Sequence, residues 1–226
     1  MAPQKKPTEI GRPRGEAGST LSYAAPDALR AARALVGLTQ TQMAATMGMS
    51  QRSLSACETG PDATLGTITA LRRYYERRGI EFLGRVRLET GWVHGSGAYW
   101  GELAQWCRGA WKPSPDDAMF IAARALLGLE VQKVAAGAGL TSRQVANLES
   151  GGSFTQKGYD SLRDFFEESG VDFLSYMTRG GYIRLGVRRA SELEPPPVGL
   201  WVNRVRDPRT IFVGAVPADW QPLLLP

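Results

Sequence analysis

Residues 31–60 of this 226-residue chain recur at 122–151, at a constant offset of 91 and without a gap. The first copy reads AARALVGLTQTQMAATMGMSQRSLSACETG and the second AARALLGLEVQKVAAGAGLTSRQVANLESG, identical at thirteen of thirty positions. The offset holds further downstream, where LRRYYERRGIEFL (71–83) faces LRDFFEESGVDFL (162–174). A repeat of this length with no insertion means that one architecture is used twice in the chain.

Local signals within each copy are helical. Pro26 and Asp27 suit the first turn of a helix, and Leu29, Ala32, Leu35 and Val36 follow at helical spacing until Gly37. Thr39 is placed to cap a second helix that turns Met43 and Ala44 inward, and Gly48 breaks it. Ser50 caps a third helix, Gln51 to Glu58, with Leu54 and Cys57 inward and Gly60 and Pro61 as its stop. A helix near 64–77 is expected to bury Leu65, Ile68, Leu71 and Tyr75. The second copy follows the same plan, from Ser114, Pro115 and Asp116, through Thr141 capping Ser142 to Glu149, to a closing helix over 158–168.

Outside the copies the signals differ. Residues 1–20 read as a flexible basic arm, either an inert solvated tail or a source of added phosphate contacts. The stretch 91–112 holds four of the six tryptophans, and a helix around 98–107 is expected to pack it onto the repeats. Residues 181–189 read as a short strand. GLWVNRV and TIFVGAV flank RDPR, which predicts a hairpin turning at Asp207-Pro208. The expected organisation is an arm (1–20), a first helical domain (21–90), a Trp-rich helical connector (91–115), a second helical domain (116–178) and a strand-plus-hairpin appendage (179–226).

Charge separates the two copies. The chain carries a net +5, with +3 over 21–90 and −4 over 116–174. A basic first unit suits a polyanion, whereas an acidic second unit does not. Two cysteines, Cys57 and Cys107, and a single His94 give no metal-ligand spacing. Cys57 aligns with Leu148, which suits a small buried hydrophobe. Asp116-Asp117 and Glu167-Glu168 fall at helix ends and on solvated faces, and no nucleophile set or phosphate loop appears, so neither an enzyme nor a bound cofactor is expected. No apolar run reaches membrane-spanning length and the N-terminal segment lacks the apolar stretch of a secretion signal, from which a cytoplasmic location is expected.

Gln40, the turn glycine Gly48, Ser50-Gln51-Arg52 and the closing Glu58-Thr59-Gly60 resemble the helix-turn-helix of the Cro/CI phage-repressor family, also called the XRE family, over 27–83 and again over 117–174. The resemblance implies a mainly α fold of two tandem lambda-repressor-like domains with a small C-terminal β-hairpin, acting as a bacterial DNA-binding transcription regulator. It implies that the third helix lies in the major groove while the second crosses the backbone. Gln51, Arg52 and Ser55 then read bases, as do Arg143, Gln144 and Asn147 in the second copy. Gln40, Ser50 and Thr141 hold the DNA backbone. Arg33 and Arg124 are expected to pair with Glu58 and Glu149, a structural role.

The second copy departs from this pattern, with Val131 in place of Gln40 and Glu130 at the cap. Two readings stay open. In one, both units read half-sites of double-stranded DNA. In the other, the second unit or the C-terminal hairpin contacts a protein, such as RNA polymerase, a toxin or a second copy of the chain. An antitoxin or antiactivator, with DNA binding secondary, is the rival function.

Overall fold

Helix α1 (Pro26–Leu35) begins with proline in its first turn, where no amide hydrogen is required, and Asp27 beside it. It buries Ala28, Leu29, Ala31, Ala32, Ala34 and Leu35, and the many alanines let neighbouring elements approach closely. α2 (Gln40–Met47) is opened by a capping box in which the Thr39 hydroxyl accepts from the Gln42 amide and the Gln42 side chain accepts from the Thr39 amide. Gly48 closes it in the left-handed conformation, φ 63°, which glycine adopts without steric cost. α3 (Gln51–Thr59) and α4 (Leu65–Glu76) are capped by Ser50 and Thr64. The structure, a computed structural model, describes residues 24–60, 62–86, 93–101, 117–178, 181–192, 196 and 201–202.

The offset of the repeat carries over to the elements that follow. α5 (Asp117–Leu127), α6 (Val131–Gly137), α7 (Ser142–Glu149) and α8 (Gln156–Glu168) occur in the same order and spacing as α1 to α4. Thr141 and Gln144 form a second capping box at α7.

The main departure from expectation is the sheet. Each helical set is followed by a hairpin: β1 (Ile80–Val86) with β2 (Val93–Trp100), and β3 (Val171–Thr178) with β4 (Gly181–Arg189). A short β5 (Trp201–Val202) adds to β3, giving one antiparallel sheet in the order β1-β2-β4-β3-β5. The expectation of strands confined to a C-terminal appendage is therefore corrected. The helix expected around 98–107 is not formed in its described part, because residues 98–100 end β2. The Trp-rich stretch enters the sheet, and residues 102–107 lie outside the described residues. So do the arm 1–20, Ser114 to Asp116, Cys107 and most of the C-terminal hairpin.

β2 and β4 join the two units. Gly97 pairs with Arg188, Ala98 with Val187 and Tyr99 with Gly186. The two hairpins have matched registers, with Leu83 opposite Gly97 in one and Leu174 opposite Gly186 in the other, and each is irregular just after that leucine. Gly97 and Gly186 are thus counterparts, and each faces its partner strand so closely that no side chain fits. A Cβ on Gly97 would overlap the Val187 carbonyl, and one on Gly186 would overlap that of Ala98. A reciprocal pairing of this kind, in which i meets j and the counterpart of j meets that of i, is what a two-fold axis produces. Here the axis passes between Ala98 and Val187, normal to the sheet.

Ala98 and Val187 are fully buried in one continuous core shared by both helical sets, from Leu29 and Leu54 to Phe120 and Phe166. α1 and α5 pack on each other above this seam. Arg30 fastens them: its Nε donates to the Ala125 carbonyl at 2.7 Å and one terminal nitrogen to that of Leu126 at 3.1 Å, both in the last turn of α5. A second link runs through Asp27, whose carboxylate accepts from Ser96 Oγ at 2.7 Å and from Arg189 Nε at 3.3 Å. Leu65, expected to be inward, is 63% exposed, while Ile68, Leu71 and Tyr75 are buried.

Because the seam admits no side chain, G186A is expected to lower stability by about 1–3 kcal/mol through overpacking. Glycine to alanine at exposed Gly139 should lack this overlap, since nothing lies within 4 Å of a Cβ there, and should show only the strain of its φ of 65°. Urea unfolding of the two variants checks the difference.

Candidate nucleic-acid interface

The surface of interest is the N-terminal front of α3 and its counterpart on α7. In the first unit the Ser50 hydroxyl accepts from the Ser53 amide at 3.0 Å, which leaves Gln51 and Arg52 on the outer face of the opening turn. Both are exposed, and Ser55 and Ala56 are half-buried one turn on. Leu54 and Cys57 anchor the opposite face at 0% and 1% exposure. Burial pushes the Cys57 thiol pKa upward, with Glu58 adding to the effect, so the thiol is a packing group and not a nucleophile. The Thr41 hydroxyl lies 3.5 Å from the Gln51 side-chain oxygen, a loose brace from α2. Arg52 has no hydrogen bond or ion pair among the described residues, so its guanidinium is available to an external acceptor.

Beneath this face lies a buried ion pair that sets the angle between helices. Arg33 on α1 makes a two-pronged contact with Glu58 at the end of α3, 2.6 Å from Nε and 3.0 Å from the second nitrogen. A third donor comes from Gln40, whose Nε2 reaches Glu58 at 2.8 Å. The same device recurs in the second unit, where Arg124 meets Glu149 at 2.5 and 2.9 Å. Val131 stands where Gln40 stands, so that third donor is missing there. Tyr75 packs beneath the first pair with its hydroxyl buried and unpaired, and its counterpart in the repeat is Phe166. Burial, with Glu58 second, drives the Tyr75 pKa upward, so it stays neutral.

Several expected roles shift once the geometry is known. Gln40 is half-buried and spends its amide nitrogen on Glu58, so its side chain positions α3 and does not reach outward. Ser50 and Thr141 use their hydroxyls on their own helices. Gln144 is exposed, but its side-chain oxygen accepts from the Thr141 amide at 2.8 Å and from the Thr141 hydroxyl at 2.9 Å. A glutamine reading adenine needs its oxygen and its nitrogen together, and the cap already holds the oxygen. Asn147 is half-buried and donates to the Ser153 carbonyl at 3.3 Å. Arg143 is the counterpart of Arg52 and, like it, is exposed and unpaired among the described residues. Lys133, exposed on α6, was not singled out from sequence. Its signal was its place in the repeat opposite Gln42, within a unit otherwise rich in acids.

The second unit carries one feature without a counterpart. Phe154, where the first unit has Ala63, is 50% exposed and leans on Tyr159 with ring centroids 5.7 Å apart. It borders an open groove of about 220 Å³ lined by Gln144, Leu148, Ser153, Thr155 and Gly158.

A capped helix, a tight glycine turn and a second capped helix with an exposed basic front define a helix-turn-helix. Residues 29–82 match the protein-family model described as helix-turn-helix, in agreement with the architecture of the first unit. No curated protein and no solved structure matches the chain. Among the described residues, no helix is long and apolar enough to cross a membrane, and no group of histidine, cysteine or acidic residues is arranged to hold a metal ion.

Removing one partner from a buried ion pair strands the other charge. R33M and R124M are each expected to cost about 3 kcal/mol of folding stability, with R124M at least as severe because Glu149 lacks the amide donor that Glu58 keeps. Chemical denaturation of the two variants measures both the loss and its order.

Proposed function

We propose that the chain is a sequence-specific bacterial transcription regulator in which α3 enters the major groove of double-stranded DNA. Gln51 and Arg52 meet base edges and Ser55 follows one turn along the helix. Arginine suits guanine O6 and N7 through paired donors, and glutamine suits adenine through its amide. The amide ends of α2 and α3 face phosphates, and Arg73 and Arg77 add sequence-independent attraction. The observation that carries this reading is Arg52: an exposed guanidinium, unpaired among the described residues, on the first turn of a helix braced by the Arg33–Glu58 pair in a segment that matches the helix-turn-helix model.

For the second unit we propose the same role at a second half-site, with Arg143 as the principal reader. Its support is the repetition of frame and chemistry: the Arg124–Glu149 pair, the Thr141 cap and an exposed arginine at the position of Arg52. Lys133 supplies a cation near Glu130. A second reading has its own observation, the exposed Phe154 beside its groove, which suits a protein partner such as RNA polymerase. In that case the unit serves protein contact and the first unit alone reads DNA.

R52A is expected to weaken specific binding by about 1–3 kcal/mol and to relax preference at one base pair. Affinity should also fall steeply as salt rises, because bound phosphates release counterions. Gel-shift titrations of the parent and R52A against specific and scrambled duplexes test both, and unchanged affinity with unchanged preference rejects the assignment.

A further inference from the structure

Two tandem reading units could address half-sites in the same direction or in opposite directions, and the repeat alone does not distinguish these. The seam between β2 and β4 does. Resting on the function proposed above, we infer that one chain occupies one operator alone, and that this operator is an inverted repeat with two unequal arms.

The orientation follows from the register. Gly97 pairs with Arg188 while Tyr99 pairs with Gly186, and Ala98 faces Val187 at the centre. The axis relating the hairpins is therefore normal to the sheet, and a rotation about such an axis keeps every element at its height above it. α1 and α5 lie on the helical face of the sheet over the seam, and α3 and α7 pack against them. The two reading helices thus sit on the same side of the sheet, at matched height and turned by half a revolution. A duplex laid across them has the same local symmetry, so the half-sites must run in opposite senses, about one helical turn apart.

The join is covalent and rigid. The common core, the Arg30 clamp onto α5 and the Asp27–Arg189 contact hold the units as one body. A single molecule therefore presents the pair of helices that separate subunits supply in a symmetric dimer.

The arms are unequal because the readers are. Along the exposed front, α3 presents Gln51, Arg52 and Ser55, and α7 presents Ser142, Arg143 and Ala146 at the same places. Only the arginine is common. Both arms should therefore contain a guanine at the equivalent place and differ around it, which gives the bound chain one defined direction along the DNA.

In vitro selection from a randomised duplex library, using the full chain, reads the motif, and native mass spectrometry of the selected duplex reads the stoichiometry. The expected result is one chain per duplex on an unequal inverted repeat. R143A should relax preference at the guanine of one arm and R52A at that of the other, each with a loss of about ten-fold or more in affinity. The double variant S142Q and A146S copies the first reading face onto the second at exposed positions, and it should convert the motif into an equal inverted repeat. A direct repeat or two chains on a symmetric site overturns the inference while leaving the proposed function intact; a motif with a single arm overturns it together with the second unit's half-site, leaving DNA reading to the first unit. Absence of any sequence preference overturns both.

Discussion

The structure depends on a close approach between two strands. β2 and β4 cross where Gly97 and Gly186 each leave room for the opposite backbone, and the strands hydrogen-bond across that gap. Without the pairing the two helical sets would be separate small domains, each with a hairpin whose free edge exposes unpaired backbone groups. With it they share one core, and Ala98 and Val187 sit at its centre with no exposure. The small residues of α1 have the same purpose one layer up, because they let α1 and α5 meet over the seam.

On this common frame the two units have diverged in an ordered way. The elements that hold the helices at their angles are kept: the Arg33–Glu58 and Arg124–Glu149 pairs, and a capping hydroxyl before each third helix. Across the strands, the pairing of Glu81 with Tyr99 in the first hairpin becomes a buried ion pair between Asp172 and Arg188 in the second, at 3.0 Å. What changes freely is the outer surface. Gln51 gives way to Ser142, Thr39 to Glu130, Ala63 to Phe154, and net charge moves from +3 over 21–90 to −4 over 116–174. Constraint follows burial here, since a buried charge without its partner costs far more than an altered exposed side chain.

Much of the helical plan was legible because its signals are local. Caps, turn glycines and apolar spacing act within one or two turns, and Thr39, Gly48, Ser50 and Thr141 all perform the roles their types suggest. Cys57 lies in the core as its alignment with Leu148 implies. Where the fold adds what the sequence does not show, the deciding partner is distant or competes locally. VHGSGAYW has little strand propensity, and the Trp-rich stretch suggested a helix, yet 93–100 is a strand because β1 and β4 border it on both sides. Gln144 suits base reading by type, but a hydroxyl three residues earlier claims its oxygen. Gln40 is drawn inward by a glutamate eighteen positions away. Arg30 gave one hint, a charge where the repeat has Ile121, without revealing what it would grip.

By itself the sequence determined that one helical plan occurs twice, where each helix starts and stops, and that an arginine opens the exposed face of both third helices. These are matters of spacing and capping, settled within a few residues of chain. Only the tertiary structure decided that the repeats are joined by a sheet, with β2 and β4 paired about a local half turn. That arrangement rests on hydrogen bonds and close contacts between strands nearly ninety residues apart, and no local pattern encodes which strand another will meet.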